Sequence, residues 1–413
     1  MDINKKVSFD IIKNTWEDLF NDIRNNKISD SITLQFHIPF CPQNCTFCNC
    51  SLIDIDNDSI NKYMTLFEKQ VFLYKDIFKW QKINHIFISG GSPSFIGLDN
   101  ISKIFRLLNS NFFIDNSTLI WYEIDPIFTN EDILKEISNY PWKIVCEIWI
   151  QTINDKVLEK INRYQSNDRI KELTSLVKKY NFWLCTDIIL WLPWEDLNSF
   201  KKTVDFVIEL WSDMINAFEL ELFWNEIGKK YNYKFDNKDL LNIDLMNNYL
   251  NNHFEDRWWL KSEVIVWYWW DNYKHKAFFP NKNFYTDNLW REKWSVLSLW
   301  YWDESFILGK LIYKLNNNFL EKEEVNDYLA YYIDLKYSIK KYFLINFAWS
   351  INKNTFYQIF KRDIMVELKR ELDILVKYNK VIIIADEIQF NFASIKEIDL
   401  FQQLLFKLKD KNE

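Results

Sequence analysis

Between residues 31 and 222, apolar runs of strand length alternate with amphipathic runs of helix length. The predicted strands are residues 32–38, 85–89, 119–123, 144–151, 184–190 and 217–222. The predicted helices between them are residues 59–78, 101–109, 130–138, 168–179 and 198–210. Strict alternation predicts an α/β fold of parallel strands, with the functional site at the carboxyl ends of the strands. Six strand units predict a partial (β/α)6 barrel of the TIM type.

The pattern differs on either side of this region. Residues 1–30 predict a short helical lead-in, and an Asn-rich stretch after residue 225 leads into an irregular aromatic region that ends at Trp302. Mostly helical runs follow at residues 304–315, 323–341 and 355–378, then a hairpin at 380–391 and a helix from 395. We therefore predict a lead-in at 1–30, a barrel at 31–224 and a smaller, mostly helical domain at 225–413.

Charge and hydropathy restrict the setting and the partners. The net charge of −7 disfavours a nucleic-acid partner, because phosphate binding usually requires a basic face. The sequence does not open with a signal-peptide pattern, and the longest apolar stretches, such as residues 182–194, are too short to span a bilayer. We expect a cytoplasmic monomer with no membrane span, in which the six cysteines are metal ligands or buried thiols.

Three cysteines follow the first predicted strand closely. Cys41, Cys45 and Cys48 have the spacing C-x3-C-x2-C, and three thiolates can hold three irons of a cubane cluster. The fourth iron then stays open to a ligand with amino and carboxylate groups. A structural zinc site needs a second pair of ligands, but Cys146 and Cys185 stand alone in separate predicted strands. The spacing favours a [4Fe–4S] cluster, with a zinc knuckle or a loop of no chemical role as alternatives.

The run LQFHIPFCPQNCTFCNC, residues 34–50, resembles the radical S-adenosylmethionine (SAM) superfamily. It resembles most closely the oxygen-independent coproporphyrinogen III dehydrogenase family and its haem-chaperone relatives. The resemblance is strongest over residues 31–222, and it implies a [4Fe–4S] cluster on Cys41, Cys45 and Cys48 with SAM as the second cofactor. Cys50 matches the Cys-x-Cys of the decarboxylating branch, whereas the chaperone branch typically has an acidic residue and an aromatic one. A spare loop thiol is the alternative for Cys50.

The same resemblance assigns a glycine turn to the cofactor pocket. Gly90, Gly91 and Ser92 follow the second predicted strand, where glycine lets the backbone approach a ligand. The family holds the methionine amino group with a glycine-rich motif at this position, in which Ser89 replaces a glycine. Phe47, between the second and third cysteines, is assigned to the same pocket.

Four further polar residues lie at or near the ends of later strands. The resemblance implies that Glu123 contacts SAM, that Gln151 and Asp187 bind its ribose, and that Arg163 binds its carboxylate. A guanidinium fork suits a carboxylate. Each of these residues alone is also typical of an ordinary polar position, but together they occur in the order of the family.

Some features depart from the family. Gln35 stands where the decarboxylating enzymes have a tyrosine, and we interpret His37 as a packing residue. The long N-terminal extension of those enzymes is also missing from this sequence, which puts their substrate in doubt.

The chain has 20 Trp but only 5 Gly, where average usage of about 7% predicts ~29 glycines. Several tryptophans stand at family glycine positions: Trp142, Trp149, Trp191, Trp194, Trp211, Trp300 and Trp302. An indole is a poor occupant of a tight turn that needs a positive φ. Some bacterial lineages read UGA as glycine, so we hypothesise that many of these residues are glycine in the natural protein. A genuinely aromatic-rich protein is the alternative.

The resemblance implies one-electron chemistry, in which reductive cleavage of SAM gives a 5′-deoxyadenosyl radical that abstracts hydrogen from a substrate. Porphyrin metabolism is the expected setting, with a porphyrinogen as small-molecule substrate and a flavodoxin or ferredoxin as electron donor. The alternatives are a haem-binding chaperone and a radical enzyme acting on an unrelated substrate, such as RNA or a peptide.

Overall fold

The computed structural model describes residues 5–50, 52–220, 237–255, 260–268, 271–279, 295–299, 305–315, 328–345, 350–392 and 395–406. Trp300, Trp302 and the end of the strand predicted at 217–222 lie outside these ranges. Within them, no helix is long and apolar enough to cross a bilayer.

Six parallel strands form the central part of the fold. After β1 (Lys5–Val7) and α1 (Phe9–Arg24), they occur in the order β2 (Ile32–Ile38), β3 (His85–Gly90), β4 (Leu119–Ile124), β5 (Lys143–Gln151), β6 (Trp183–Leu190) and β7 (Met214–Glu219). Each pairs in parallel with the next. The helices between them are α2 (Asn57–Phe78), α3 (Leu98–Asn111), α4 (Glu131–Ile137), α5 (Asp155–Lys160), α6 (Asn167–Lys179) and α7 (Leu197–Glu209). The predicted alternation of strands and helices is confirmed, except that a helix not predicted, α5, precedes α6 between β5 and β6.

Local sequence signals explain where these helices begin. Five of them start after a side chain that accepts a hydrogen bond from a backbone N–H of the first turn, which satisfies a donor that has no partner within the helix. These N-cap residues are Asp56, Asn130, Asn154, Ser166 and Asp196. Four of these caps end a loop that begins at a strand, and Ser166 ends the loop that joins α5 to α6, so each loop is fixed at both of its ends.

The sheet extends well beyond the six parallel strands. After α8 (Asn237–Glu255), β8 (Leu260–Tyr268) and β9 (Asp271–Phe279) form a hairpin antiparallel to β7. At the other edge, β10 (Ser295–Ser298) pairs in parallel with β2, and β11 (Ser305–Ile307), β12 (Leu311–Leu315) and β13 (Tyr328–Tyr332) continue the sheet in antiparallel order to β1. The result is one sheet of thirteen described strands.

These added strands correct two predictions. Residues 305–315 and 328–332 are strands instead of the helices expected at 304–315 and 323–341, and strands also lie within the region described as irregular. Short apolar runs of this kind fit either state, and pairing with a sheet edge decides in favour of the strand. Helix begins only at Leu335.

The end of the chain is mainly helical, as predicted. It consists of α9 (Leu335–Ile345), β14 (Ser350–Asn352), α10 (Lys353–Phe360), α11 (Ile364–Glu367), α12 (Lys369–Lys377), β15 (Val381–Ile384), β16 (Glu387–Phe390) and α13 (Ile395–Phe406). The hairpin β15–β16 joins β14 in a separate antiparallel sheet, which confirms the predicted hairpin. The domain boundaries at residues 30 and 224 stay a prediction.

The strands of the barrel are buried on both faces. All six residues of β4 are buried, with Ile120, Tyr122 and Ile124 in the large core that includes residues of the surrounding helices. Leu119 and Trp121 belong to a second, smaller apolar cluster with residues of β3, β5, β6 and β7. Alternate residues of a strand point to opposite faces, so Glu123 shares the inner face with Trp121. The barrel interior is therefore apolar at one end and carries polar groups toward the carboxyl ends of its strands.

Candidate active site

One cavity at the carboxyl ends of β2 to β5 collects most of the predicted site residues. It is lined by the cysteine loop, the glycine turn and the ends of β4 and β5. The lining residues are Cys41, Gln43, Cys45, Phe47, Cys48, Cys50, Gly90, Gly91, Ser92, Pro93, Glu123, Ile124, Asp125, Trp149 and Arg163. Every predicted ligand or pocket residue is among them except Gln151 and Asp187.

The cysteine loop is a compact turn after β2. The N–H of Cys48 donates to the carbonyl of Cys45 at 3.1 Å, and the N–H of Cys50 donates to the Cys48 sulfur at 3.3 Å. The Arg163 guanidinium lies 4.0 Å from the Cys45 sulfur. Burial raises the pKa of the Cys41 thiol to about 11, whereas hydrogen bonding from Cys50 lowers the pKa of Cys48. The loop presents three sulfurs to one space, with a cation beside one of them.

The glycine turn packs directly against the backbone before the cysteines. Gly90 has a φ of +129°, and a Cβ there would lie 2.4 Å from the Ile38 carbonyl oxygen, so only glycine fits. The N–H of Gly91 donates to Ile38 O, and the N–H of Ser92 donates to Phe40 O, both at 2.9 Å. The buried Ser92 hydroxyl has no hydrogen-bond partner in the described structure. A buried hydroxyl that lacks a protein partner and lies beside a cavity is suited to hydrogen-bond a ligand.

Next to the glycine turn, the barrel interior holds three buried carboxyl groups, those of Glu123, Glu147 and Asp187. Burial raises the pKa of Glu123 and of Asp187 well above their usual values, and the neighbouring Glu147 raises both further. Trp121 Nε1 donates to Glu147 at 2.5 Å, and the Asn216 amide donates to Asp187 at 2.9 Å. A region with this surplus of acidic groups favours a cationic ligand over an anionic one.

Gln151 and Asp187 lie outside the cavity wall. Asp187 pairs in register with Trp149, and its Oδ2 has no hydrogen-bond partner among the described residues. Gln151 has a φ of +66° beside a register shift in β5, and its buried Oε1 also lacks a partner there. Both residues therefore carry unsatisfied oxygens close to the site. Trp149, which lines the cavity, is two residues before Gln151 in β5 and is paired with Asp187 across the sheet.

The sequence-based prediction missed several polar residues of the site. Gln43 Nε2 donates to Asp125 at 3.2 Å, and Gln43 Oε1 accepts from the N–H of Tyr164, so this side chain links three loops. Asp125 lies within the Glu-Ile-Asp-Pro motif around Glu123 and could have been selected from it. Glu147, missed as well, is a charged residue within the apolar run 144–150 of β5, which was the available signal.

Three of the tryptophans at family glycine positions have the left-handed backbone that glycine favours. Trp191, Trp194 and Trp211 have φ values of 64°, 74° and 55°. For a bulky residue, a positive φ is a genuine outlier. Trp149 and Trp142 are outside this group, but the Nε1 atom of each is buried without a partner in the described structure. These observations agree with the glycine hypothesis, which stays a prediction.

Residues 36–207 match the family model described as "Radical SAM superfamily". These residues belong to the radical SAM superfamily. The oxygen-independent coproporphyrinogen III oxidase of Escherichia coli (strain K12) is 26% identical over 189 residues, which cover 45% of this chain and 41% of that protein. The heme chaperone HemW of Buchnera aphidicola subsp. Schizaphis graminum is 28% identical over 200 residues, which cover 46% of this chain and 51% of that protein. In sequence, this chain thus matches about half or less of the length of either relative.

The fold matches over a longer range than the sequence. The solved structure of coproporphyrinogen III oxidase (HemN) from Escherichia coli superposes with a TM-score of 0.75 at 18% identity, covering 94% of this chain and 92% of that one. The predicted radical SAM barrel is therefore confirmed as the fold, together with its C-terminal extension.

The cofactors of this family are a [4Fe–4S] cluster and SAM, and the residues of the cavity fit both. Cys41, Cys45 and Cys48 supply three thiols, the donor type that iron–sulfur clusters require. Ser92 Oγ is a buried oxygen beside the cavity without a protein partner in the described chain. Arg163 supplies a cation to the lining of the same cavity, as a carboxylate ligand would need.

Proposed function

We propose that this chain is a radical SAM oxidoreductase of the coproporphyrinogen III dehydrogenase type. When bound, the two cofactors supply a 5′-deoxyadenosyl radical that abstracts a hydrogen atom from the substrate. The observation that carries the proposal is the convergence of Cys41, Cys45 and Cys48 with the glycine turn and Arg163 on one cavity. The three thiols hold the cluster, and the remaining groups orient SAM beside it.

Different residues of the chain bind the different polar groups of SAM. The Gly90 turn and Glu123 hold the amino group. Arg163 holds the carboxylate through the Nη hydrogens that its bonds to Gln165, Cys45 and the Trp149 carbonyl leave unused. Gln151 and Asp187 bind the ribose through the oxygens that lack protein partners. The acidic interior formed by Glu123, Glu147 and Asp187 complements the positive charge of a sulfonium.

The same acidic interior limits where a porphyrinogen can lie. Its propionates are anionic, and the buried carboxyl groups of β4, β5 and β6 offer them no cationic partner. We therefore place the substrate at the mouth of the cavity, outside the barrel interior. Cys50 in the cavity wall supports the decarboxylating branch, because the Cys-x-Cys pattern is typical of that branch.

The test is anaerobic reconstitution with iron and sulfide, followed by reduction in the presence of SAM. Release of 5′-deoxyadenosine that increases with coproporphyrinogen III, together with a product that has lost two carboxyl groups, is the expected result. Release that is indifferent to coproporphyrinogen III would support a radical enzyme on another substrate. A reconstituted chain without iron and sulfide would contradict the radical SAM proposal itself.

A haem chaperone is the second candidate. It is supported by the 28% identity to HemW of Buchnera aphidicola and by Gln35, which replaces the tyrosine of the decarboxylating enzymes. A chaperone would bind haem stoichiometrically, visible as a shift of the haem absorption during titration, and would leave coproporphyrinogen III unchanged. An electron donor of the flavodoxin or ferredoxin class, a cytoplasmic location and a monomeric state are proposed with either function.

A further inference from the structure

Cys50 makes two hydrogen bonds that connect the cysteine loop to the glycine turn. Its backbone N–H donates to the sulfur of Cys48 at 3.3 Å, and its own thiol donates to the carbonyl oxygen of Gly90 at 3.2 Å. The first bond reaches a predicted cluster ligand, and the second reaches the turn that faces SAM in the proposed function. One residue therefore contacts both halves of the site.

The backbone of Gly90 is held through both of its polar groups. Its carbonyl accepts from Cys50, while the N–H of Gly90 donates to Glu123 Oε2 at 3.0 Å. The turn also has little free space, since a Cβ on Gly91 would lie 2.7 Å from Phe40 O and 2.8 Å from a Leu52 methyl. A small displacement of the cysteine loop would thus be transmitted to the turn instead of being absorbed by loose packing.

We propose that Cys50 is a positioning residue that fixes the Gly90 turn, and with it the SAM amino group, relative to the cysteine loop. The inference rests on the proposed function, because it takes the cavity to be the SAM site. Cys50 does not bind the cluster in this proposal. It acts through the orientation of the Gly90 peptide and through the hydrogen bond to the Cys48 sulfur.

The geometry distinguishes this role from two others. A fourth cluster ligand would be a thiolate with no proton to donate, but the Cys50 thiol donates to the Gly90 carbonyl at 3.2 Å. A residue that only fills space would not need a donor, so serine and alanine would differ only in packing. The hydroxyl of serine can donate to Gly90 as the thiol does, whereas alanine cannot.

The experiment compares Cys50→Ala with Cys50→Ser in the full, anaerobically reconstituted chain. It measures iron and sulfide content, the dissociation constant of SAM, and the change that SAM causes in the EPR spectrum of the reduced cluster. We expect full iron content in both variants. Cys50→Ala should weaken SAM binding about five-fold, the effect of losing one hydrogen bond, and Cys50→Ser should remain close to the unmodified protein. Cys146→Ala, which removes a buried thiol outside the cavity, is the matched control.

Each other outcome overturns the inference in a recognisable way. Equal SAM affinity in Cys50→Ala and the unmodified chain would show that Cys50 does not position the turn. A loss of iron in both variants would make Cys50 a ligand. If Cys50→Ala does not fold, Cys50→Val keeps most of the side-chain volume without a donor and takes its place. Failure of the unmodified chain to bind SAM would instead overturn the proposed function, and this inference with it.

Discussion

The carboxylate of Glu123, at the end of β4, accepts a hydrogen bond of 3.0 Å from the backbone N–H of Gly90, at the end of β3. This bond joins the two strand ends that form the floor of the proposed SAM site. Glu123 is also buried, and burial raises its pKa well above the usual value. A carboxylate kept in such a place needs a positive partner, and the ammonium group of SAM would provide one.

Glu123→Gln separates the charge of this side chain from its hydrogen bond. The amide oxygen of glutamine can still accept from Gly90, but the negative charge is lost. We expect SAM to bind about ten-fold more weakly, since a hydrogen bond to a charged group contributes about 1.5 kcal/mol or more. Equilibrium dialysis with reconstituted protein measures the effect. Glu131→Gln, at the start of α4 and outside the cavity, is the control and should leave the affinity unchanged.

Replacement of a single predicted ligand should remove the cluster. In Cys45→Ala only two of the three predicted ligand thiols remain. Iron and sulfide should therefore fall to a small fraction of the unmodified content after reconstitution. Cys146→Ala should retain the cluster, because Cys146 is buried within β5 and does not line the cavity. Normal iron content in Cys45→Ala would contradict the assignment of the loop.

The backbone of Trp211 predicts a stabilising substitution. Trp211 follows α7 with a φ of 55° and is 81% exposed, so its side chain contributes little burial while its backbone is strained. Trp211→Gly should raise the free energy of unfolding by about 1 kcal/mol, as glycine does at left-handed helix ends. Trp80 is equally exposed, at 81%, but is not among the residues with positive φ. Trp80→Gly should therefore be neutral or destabilising in the same urea titration.

The mass of the protein from its own host tests the glycine hypothesis directly. We expect the intact mass to be lower than that of the printed sequence by a whole multiple of the difference between a tryptophan and a glycine residue. Peptide mapping should place glycine at residues 191, 194 and 211, where φ is positive. A mass equal to that of the printed sequence would establish a genuinely aromatic-rich protein.

Glu195 predicts a dependence of stability on pH. Its carboxyl group is buried and accepts from Thr152 at 2.6 Å and from Ser199 at 3.2 Å, and burial raises its pKa from 4.5 to about 7. Between these values the folded chain keeps a proton that the unfolded chain releases. The contribution of Glu195 is therefore complete below about pH 4.5 and is lost as the pH rises through 7.

Glu195→Gln should remove this part of the pH dependence. The free energy of unfolding of the cluster-free protein, measured with urea at pH 5 and pH 7.5, should fall less in the variant. The difference between the two proteins should reach up to about 3 kcal/mol, since each pKa unit corresponds to about 1.36 kcal/mol. If the free energy of unfolding changes equally with pH in both proteins, Glu195 has the same pKa in the folded and the unfolded chain.

Local patterns in the sequence were sufficient for the parallel strands, most of the helices between them and the cysteine loop. Hydrophobic period acts over a few residues, so the six runs that form β2 to β7 were predicted without a structure, whereas caps such as Asp56 and Asp196 were identified only in it. The spacing of Cys41, Cys45 and Cys48 likewise requires only one short loop. The cofactor residues at the strand ends were selected by resemblance, and the structure gathers most of them around one cavity.

Tertiary structure decided what depends on partners distant in the chain. Residues 305–315 became strands because a sheet edge was available to pair with them, which no local period reveals. Glu147, Asp187 and Asn216 meet because three different strands turn these positions to the inner face of one barrel. The bond from Cys50 to Gly90 spans forty positions of sequence for the same reason. Sequence determines the local elements and the reactive groups, but only the pairing of the strands into one sheet sets which of those groups face each other.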